Sequence, residues 1–554
     1  MILLRRGLDL PGFLFSSSTT TPDLPQSCNN NNNNTTTPPD PPHVNPRRSP
    51  VCPTSDLECR YVRSRRGMRS KPDNPPSPLF NHHDVPLFDA DAFSNWLNST
   101  PLPPDLDAGE ALFQSLGSPQ TFDMPSLTDD AMSWPEPEQL STPGVAYDPM
   151  IQLYYQNFHR SHPLLVPRKA LASPLADRIP SYLLFIMRYV GAHFYPDPAF
   201  KEEFRAQAYA VFADSTLRDG FKVQGMLLLA IVEHAHGQDD SAHRSMQAAI
   251  DLALDLGMHR SGFAVENSEG DFLMEESWCR TFWELYVVDG LLATMRDQSS
   301  FRLCRQRTDV RLPCAEDAFS SGIAPMSIRQ TLNDLERNWS LGQGNCPSSF
   351  AYRIHAIQNL GKVMDVNRSL DIDLEARVQT VDASLVSSLM RLPSSQGSGY
   401  DSSDFDELLF QAEMITYIGM IYLHHPRSSM RFASFSNRTS CTRLKAARDA
   451  SHSGSADLDL HSQKFLRAAD LLSNLATLPN PIQGRTPFFT CALAICIVVH
   501  TAACMVVPSA GKVESLKARI QLGVGGLNVL GKVWPLAKTV RGQMVDMYQE
   551  VGLR

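Results

Sequence analysis

The sequence has no surplus of positive charge and no apolar leader segment. Its 554 residues contain 50 Lys and Arg against 59 Asp and Glu, and the net charge of -9 excludes a protein that coats nucleic acid through a general positive field. Pro11 and the Ser and Thr residues after it interrupt the apolar N-terminus, so we expect no secretion signal. The eleven cysteines are scattered, and several lie in apolar stretches, which fits a reducing intracellular compartment. Any contact with nucleic acid must therefore be local.

The sequence also lacks the common motifs of catalysis. It contains no glycine-rich phosphate loop between a strand and a helix, no nucleophile-elbow serine and no helical His-Glu-x-x-His. His159 with His162, and His234 with His236, have no third and fourth ligand at a recognisable spacing, so they do not predict a metal site. We therefore expect a regulatory or partner-binding protein that is not an enzyme.

Three segments of different composition precede residue 150. Residues 1–50 are rich in Asn, Thr, Ser and Pro and cannot bury enough apolar surface to fold, so we expect disorder. Residues 51–72 contain two cysteines and a basic run. Residues 73–149 contain no Lys or Arg, and their acidic residues alternate with bulky apolar ones such as Phe93 and Trp96. This pattern is typical of disordered activation segments and of solvated acidic linkers, and both interpretations stay open.

The segment 51–72 holds the clearest binding pattern. Cys52 and Cys59 are separated by six residues, and thiolates are favoured ligands of zinc, which takes four ligands in a tetrahedron. Two cysteines alone do not complete such a site. Six basic residues follow: Arg60, Arg63, Arg65, Arg66, Arg69 and Lys71. Such a cluster can neutralise DNA phosphates or serve as a nuclear import signal, and a solvated basic patch is the alternative.

From about residue 150 onward, apolar residues recur at helical spacing. The clearest segments are residues 182–190, 223–233, 242–256, 275–292, 408–423, 462–478, 488–507, 513–533 and 536–548. Alternation typical of strands is scarce, so we predict one all-helical domain over residues 150–554. Residues 488–507 are long enough to cross a bilayer, but they include His500 and lack a flanking aromatic belt. We predict that they form a buried helix and not a membrane span.

Two expectations concern residues 276–289. Trp278, Phe282, Trp283 and Tyr286 lie at helical spacing, which predicts one core-facing stripe and not a cofactor site. Arg280 and Asp289 are expected to pair with other charged groups at the edge of the domain.

Several motifs of the helical part resemble, in the same order, those of the fungal-specific transcription factor regulatory domain, also called the middle homology region. They are residues 154–165, 248–260, 276–289, 309–314, 422–426, 468–472, 486–489 and 526–537. One departure is Gly290, where the family often has a basic residue after the aspartate. The resemblance implies a large helical regulatory domain.

The segment around Cys52 and Cys59 resembles the closing half of the fungal zinc cluster, in which six cysteines share two zinc ions. Upstream only Cys28 is available, and Ser49 stands where the family has a further cysteine, so the cluster and its base-reading helix are incomplete. Either the module was lost, or the first fifty residues come from a mis-assigned exon, which sequencing of the 5′ end of the transcript would test. The resemblance implies zinc as the cofactor, Cys52 and Cys59 as its ligands, and the basic residues from Arg60 to Lys71 as DNA contacts.

By this resemblance, the chain is expected to be a nuclear DNA-binding transcription factor. It would regulate RNA polymerase II transcription of a pathway-specific gene set, for example a secondary-metabolite cluster, and contact the transcription machinery through its acidic segment. The alternative is a regulator that does not bind DNA, has kept the helical domain and acts on an intact partner. Residues 72–150 show no sustained heptad, so homodimerisation or heterodimerisation stays open.

Overall fold

The computed structural model describes residues 144–550, apart from 211–215, 327–328, 343–345, 371, 394–404, 429, 431–438, 442–454, 479 and 507–509 and the side chains of 455–459. In this part of the chain the backbone forms sixteen α-helices, several short 3-10 turns and no strand. The predicted all-α class is therefore confirmed.

The helices follow one another with short connections. They are α1 (Pro149–Asn157), α2 (Ser181–Ala192), α3 (Pro198–Ala210), α4 (Gly220–Ala235), α5 (Asp239–Asp255), α6 (Ser261–Glu266), α7 (Phe272–Met295), α8 (Glu316–Ser321), α9 (Leu332–Ser340), α10 (Ser349–Arg368), α11 (Leu374–Arg391), α12 (Glu407–His424), α13 (Ser455–Asn474), α14 (Phe489–Val506), α15 (Ala510–Leu530) and α16 (Pro535–Glu550).

Side-chain caps determine where many of these helices begin. Asp148 precedes α1 and accepts hydrogen bonds from the backbone N–H groups of Met150 at 2.9 Å and Ile151 at 3.1 Å. Its other carboxylate oxygen accepts a hydrogen bond from Arg188 of α2 at 2.7 Å. The same capping role belongs to Asp219, Asp271, Thr331, Ser348 and Asp406 at α4, α7, α9, α10 and α12. These caps satisfy N–H groups that have no partner inside the helix.

Helix α7 lies at the centre of the core. All but three of its 24 residues are buried, because α4, α5, α6 and α10 all pack against it. Trp278, Phe282, Trp283 and Tyr286 are core residues as predicted. The prediction that they face the core is confirmed, and the remaining faces of α7 are also largely buried.

Helix α14 covers the apolar segment that has the length of a membrane span. Of its 18 residues, 89% are buried inside the protein, against α12, α13, α15 and α16. Gly523 of α15 allows close approach, since a Cβ there would lie 2.8 Å from the Cγ1 atom of Ile497. The predicted buried helix is confirmed.

Seven of the sixteen helices have no counterpart among the predicted segments: α1, α3, α6, α8, α9, α10 and α11. Helix α10 illustrates the reason. It buries Arg353, His355 and Asn359 among its apolar residues. These polar residues interrupt the helical spacing of apolar residues from which a helix is predicted.

Candidate functional site

The sequence-predicted binding residues precede the helical domain. The predicted zinc ligands Cys52 and Cys59 and the predicted DNA contacts Arg60, Arg63, Arg65, Arg66, Arg69 and Lys71 all lie outside the described residues. These assignments stay predictions. Among the residues that the structure does describe, no group of three or more His, Cys, Asp and Glu side chains could hold a metal ion.

Motifs that are far apart in the sequence meet along α7. The hydroxyl group of Ser277 donates a hydrogen bond to the carbonyl oxygen of Leu164, in the motif 154–165, at 2.7 Å. The indole N–H of Trp283 donates to the carbonyl oxygen of Arg311, in the motif 309–314, at 2.9 Å. We call this region, centred on His162, Glu276, Arg280, Glu284 and Arg353, the motif junction.

Glu284 is the central carboxylate of the motif junction and is fully buried. Arg353 of α10 donates two hydrogen bonds to it, at 2.6 and 2.8 Å, and Nδ1 of His162 lies 2.7 Å from Oε1. Burial opposes ionisation of Glu284, but Arg353 and His162 outweigh it and lower the pKa to about 2. Burial also lowers the pKa of His162, so its ring is neutral and donates from Nδ1. Its Nε2 then accepts from the hydroxyl group of Thr486 at 3.2 Å.

Arg280 forms a second buried ion cluster one turn earlier on α7. Its Nε donates to Glu276 at 2.8 Å, its Nη1 lies 2.7 Å from Glu316, and its Nη2 donates to the carbonyl oxygen of Cys314 at 3.0 Å. Burial disfavours the charged guanidinium, but Glu316 and Glu276 outweigh it and raise the pKa. The expectation that Arg280 forms ion pairs is correct. Its expected place is wrong, because the side chain is fully buried and not at the edge of the domain.

Asp289 and Gly290 follow on the same helix. Asp289 accepts a hydrogen bond from the backbone N–H of Leu303 at 2.9 Å and forms no ion pair with a described residue, so the expected pairing is wrong. Burial raises the pKa of this carboxyl to about 6. Gly290 faces α10, and a Cβ there would lie 2.7 Å from the Cγ2 atom of Ile357. The departure from a basic residue at position 290 therefore accompanies tight packing of α7 against α10.

The histidines considered as metal ligands, His159 with His162 and His234 with His236, have separate partners in the structure. Nε2 of His159 lies 3.0 Å from the carbonyl oxygen of Leu165. His236 lies 2.9 Å from His193, whereas His234 stacks on Phe488. In each pair, the two histidines therefore contact different partners.

A large cleft in the described part lies beside the motif junction. It has a volume of about 860 Å³ and is enclosed by α7, residues 300–308, α9, α10 and α11. Trp283 and Tyr286 of α7 lie behind it on the core side, and both are almost completely buried. Sequence reasoning missed this cleft, because its lining comes from five separate segments. The only local signal was the group of three arginines, Arg302, Arg305 and Arg307, in the loop after α7.

Comparison with known proteins identifies what the helical domain resembles. Residues 151–393 match the family model of the fungal specific transcription factor domain. The chain is 29% identical over 529 residues to the C6 finger domain transcription factor iacK of Pestalotiopsis fici, covering 90% of this chain and 77% of that protein. It is 26% identical over 325 residues to Transcription factor AN6788 of Emericella nidulans, covering 55% of this chain and 46% of that protein. No solved structure matches the chain.

These similarities support a transcription regulator whose residues 151–393 resemble the fungal specific transcription factor domain. The matched region contains helices α1 to α11, and thus α7 with both of its buried ion clusters. The similarity to the C6 finger factor covers about 500 of the 554 residues, more than residues 144–550 supply. It therefore extends into the segment that precedes the fungal transcription factor domain.

Proposed function

We propose that this transcription factor is nuclear, binds DNA and regulates RNA polymerase II transcription of a pathway-specific gene set, with a secondary-metabolite cluster as the leading candidate. The observation that carries the proposal is the similarity to a C6 finger domain transcription factor, which extends beyond the helical domain into the N-terminal 143 residues. The motif junction supports a regulatory scaffold, since its charged side chains are buried and form ion pairs with one another.

The proposal gives each segment a separate task. The basic residues Arg60, Arg63, Arg65, Arg66, Arg69 and Lys71 contact DNA phosphates, a contact that releases counterions and makes the affinity depend on salt. Residues 73–149, with acidic and aromatic residues and no Lys or Arg, contact the transcription machinery. The helical domain controls the activity through a ligand or a partner and acts by binding, not by catalysis.

The cysteines of this chain do not fit a complete cluster of six zinc ligands. Only Cys28, Cys52 and Cys59 precede the helical domain. Among the residues that the structure describes, no cysteine belongs to a group of three or more His, Cys, Asp and Glu side chains that could hold a metal ion. Cys52 and Cys59 remain the candidate ligands, and no step of the proposal depends on zinc.

The incomplete set of cysteines favours a second candidate function. A chain that carries the helical domain without a working zinc cluster would regulate transcription through a second transcription factor, by dimerising with it or by sequestering it. This candidate predicts no sequence preference for the N-terminal segment and no effect of replacing Cys52 or Cys59.

Chromatin occupancy of the tagged full chain distinguishes the two candidates. The test compares the natural sequence with a variant in which the six basic residues from Arg60 to Lys71 are replaced by Gln, and with Cys52→Ser/Cys59→Ser. The matched controls are Arg47→Gln/Arg48→Gln for charge and Cys28→Ser for a thiol outside the pattern. Imaging of the same tagged chains measures the nuclear fraction.

We expect discrete promoter peaks that are lost in the basic-segment variant and kept in the arginine control. Loss of the peaks in Cys52→Ser/Cys59→Ser but not in Cys28→Ser would support zinc ligation by these two residues. Peaks that persist in every variant but require a second factor would refute DNA binding by this chain and support the partner-dependent function. Exclusion of the natural sequence from the nucleus would contradict both.

A further inference from the structure

Helix α11 has an exposed face without charged residues, on the side opposite its buried face. The buried face packs against α10 and α12. Its residues repeat at spacings of three and four, and they are Val378, Val381, Leu385 and Ser388. A helix at the surface of a domain normally presents charged residues on its other side. Helix α11 departs from this rule.

The exposed face of α11 repeats the same alternating spacing of three and four residues. We call its residues the outer seam, and they are Ala376, Gln379, Ala383, Val386 and Met390, all of them exposed. Val386 is 39% exposed, Met390 is 82% exposed, and Ile372, one turn before the seam, is fully exposed. Single exposed apolar residues are common, but this alignment is typical of a helix that pairs with another helix.

The outer seam matches a second copy of itself in the antiparallel direction. In an interface with two-fold symmetry, if residue i contacts residue j of the other copy, then j also contacts i. One antiparallel register uses every apolar residue of the seam and of its first turn. The pairs, each formed twice, are Ile372 with Met390, Ala376 with Val386, and Gln379 with Ala383.

This register places an alanine opposite a larger side chain in both inner layers, so the two helix axes can approach closely. A parallel pair would instead place each residue opposite its own copy. Gln379 would then face Gln379 in a polar layer, and the alanines Ala376 and Ala383 would face alanines and leave gaps. The packing therefore favours the antiparallel direction.

Charge favours the same direction. Helix α11 is preceded by Asp373, has Glu375 in its first turn and ends with Arg391, and all three are exposed. Antiparallel helices bring the acidic end of one copy beside the basic end of the other, and their dipoles are opposed. Arg391 contacts Ser387 and the ring of Trp339 within its own chain. Its charge therefore contributes to the direction of pairing without a specific ion pair.

One carboxylate beside the seam is neutralised within its own chain. Asp382 precedes Ala383, and the proposed register brings the two copies of Asp382 towards each other. Nε2 of His424 lies 3.0 Å from this carboxylate, and Lys464 donates to its other oxygen at 2.5 Å. The side chain of Asp382 is only 14% exposed. It therefore opposes the approach of a second copy little.

The seam alone is too small for a permanent dimer. A helix of 18 residues is about 27 Å long and about 10 Å wide, so the contact strip covers about 300 Å² of each copy. Stable interfaces bury about 1,200–2,000 Å² in total. We therefore expect weak self-association, which two neighbouring sites on DNA would strengthen by raising the effective concentration.

We propose that the outer seam is the surface through which two copies of this chain associate, with their α11 helices antiparallel. Association on neighbouring DNA sites rests on the proposed function. Self-association itself does not, because it is measured on the purified full chain without DNA. Loss of chromatin occupancy and loss of self-association are therefore separate results.

Analytical ultracentrifugation at protein concentrations up to about 100 μM measures the association. Val386→Glu places a charge in the seam, and the matched control Val265→Glu places it on α6, where the side chain is 58% exposed. We expect the average mass of the natural sequence to rise with concentration from monomer towards dimer. Val386→Glu should weaken this association by at least about tenfold, and Val265→Glu should leave it unchanged. Circular dichroism checks that each variant is folded.

A second variant should strengthen the association. Gln379→Leu replaces the polar residue of the seam in both copies, and the apolar side chain then packs against Ala383. We expect association that is tighter by about tenfold. Gln156→Leu is the control, since it adds the same side chain at an exposed position of α1.

Cysteine cross-linking tests the direction. Gln379→Cys and Ala383→Cys are oxidised with copper phenanthroline, first separately and then as a mixture of the two variants. The background for both variants replaces by Ser the cysteines Cys28, Cys52, Cys59 and Cys346, of which Cys346 is exposed. We expect a disulfide-linked dimer mainly in the mixture, because the antiparallel register places residue 379 opposite residue 383.

Three results would overturn the proposal. The first is a chain that stays monomeric both in the natural sequence and in Gln379→Leu. The second is a dimer that Val386→Glu leaves intact. The third is cross-linking of each cysteine variant with itself and not with the other, which would indicate a parallel pair.

Discussion

Replacing Glu284 by Gln tests whether the motif junction holds the domain together. Glu284 accepts two hydrogen bonds from Arg353 and one from His162, and all three side chains are fully buried. Gln keeps the shape but turns one acceptor into an N–H₂ group that faces the N–H donors of Arg353. The guanidinium charge then stays in the core without its counterion.

Two separate arguments give the magnitude of the loss. Removing one partner of a buried ion pair costs about 3–5 kcal/mol, because the other charge is left uncompensated. Independently, the pKa of Glu284 falls from 4.5 to about 2 on folding, and this shift corresponds to about 3 kcal/mol. Because the pKa is lowered in the folded state, this stability is present above the unfolded pKa and is lost as the pH falls toward 2.

Urea denaturation followed by circular dichroism measures the effect at neutral pH. We expect Glu284→Gln and Arg353→Met each to lower the free energy of unfolding by about 3–5 kcal/mol, and the double variant to lose clearly less than the sum. Asp255→Asn is the control, since Asp255 pairs with Arg218 at the surface, where the side chain of Asp255 is 62% exposed and that of Arg218 is 57% exposed. Such a surface pair contributes about 0–1 kcal/mol. A loss below about 1 kcal/mol in Glu284→Gln, or additive losses in the double variant, would refute the reasoning.

Three further outcomes are expected. Burial raises the pKa of Glu407 to about 7. Because the unfolded chain loses this proton first, the free energy of unfolding falls as the pH rises from about 4.5 to about 7. In thermal melts across this window, Glu407→Gln should flatten the pH dependence, whereas the exposed control Glu375→Gln should keep it. Gly290→Val should cost about 1–3 kcal/mol in urea denaturation, because its Cβ would lie 2.7 Å from Ile357, and less in an Ile357→Ala background. An equal cost in both backgrounds would contradict the close packing. Asp148→Ala should cost about 1 kcal/mol through the lost cap of α1, and no loss would contradict that role.

Local patterns in the sequence were sufficient for the fold class and for nine of the sixteen helices. They succeed where apolar residues repeat without interruption, as in α14, and where the segment is long. They fail at α10, because the buried Arg353 breaks the apolar period and is tolerated only through Glu284, a partner 69 positions away. Arg280 was placed at the edge of the domain for the same reason, since a charged residue is expected to be exposed unless its partners are known.

The candidate sites also differ in whether local sequence patterns can predict them. Cys52, Cys59 and the basic residues after them are neighbours in sequence, so spacing alone predicts their chemistry, and the prediction awaits a test. The cations of the cleft stand at positions 305, 307, 362 and 377, and no motif links them. They come together because α10 packs against α7 and α11 packs against α10. A cleft of this kind is a property of the folded domain, because its lining residues share no spacing in the sequence that could predict it.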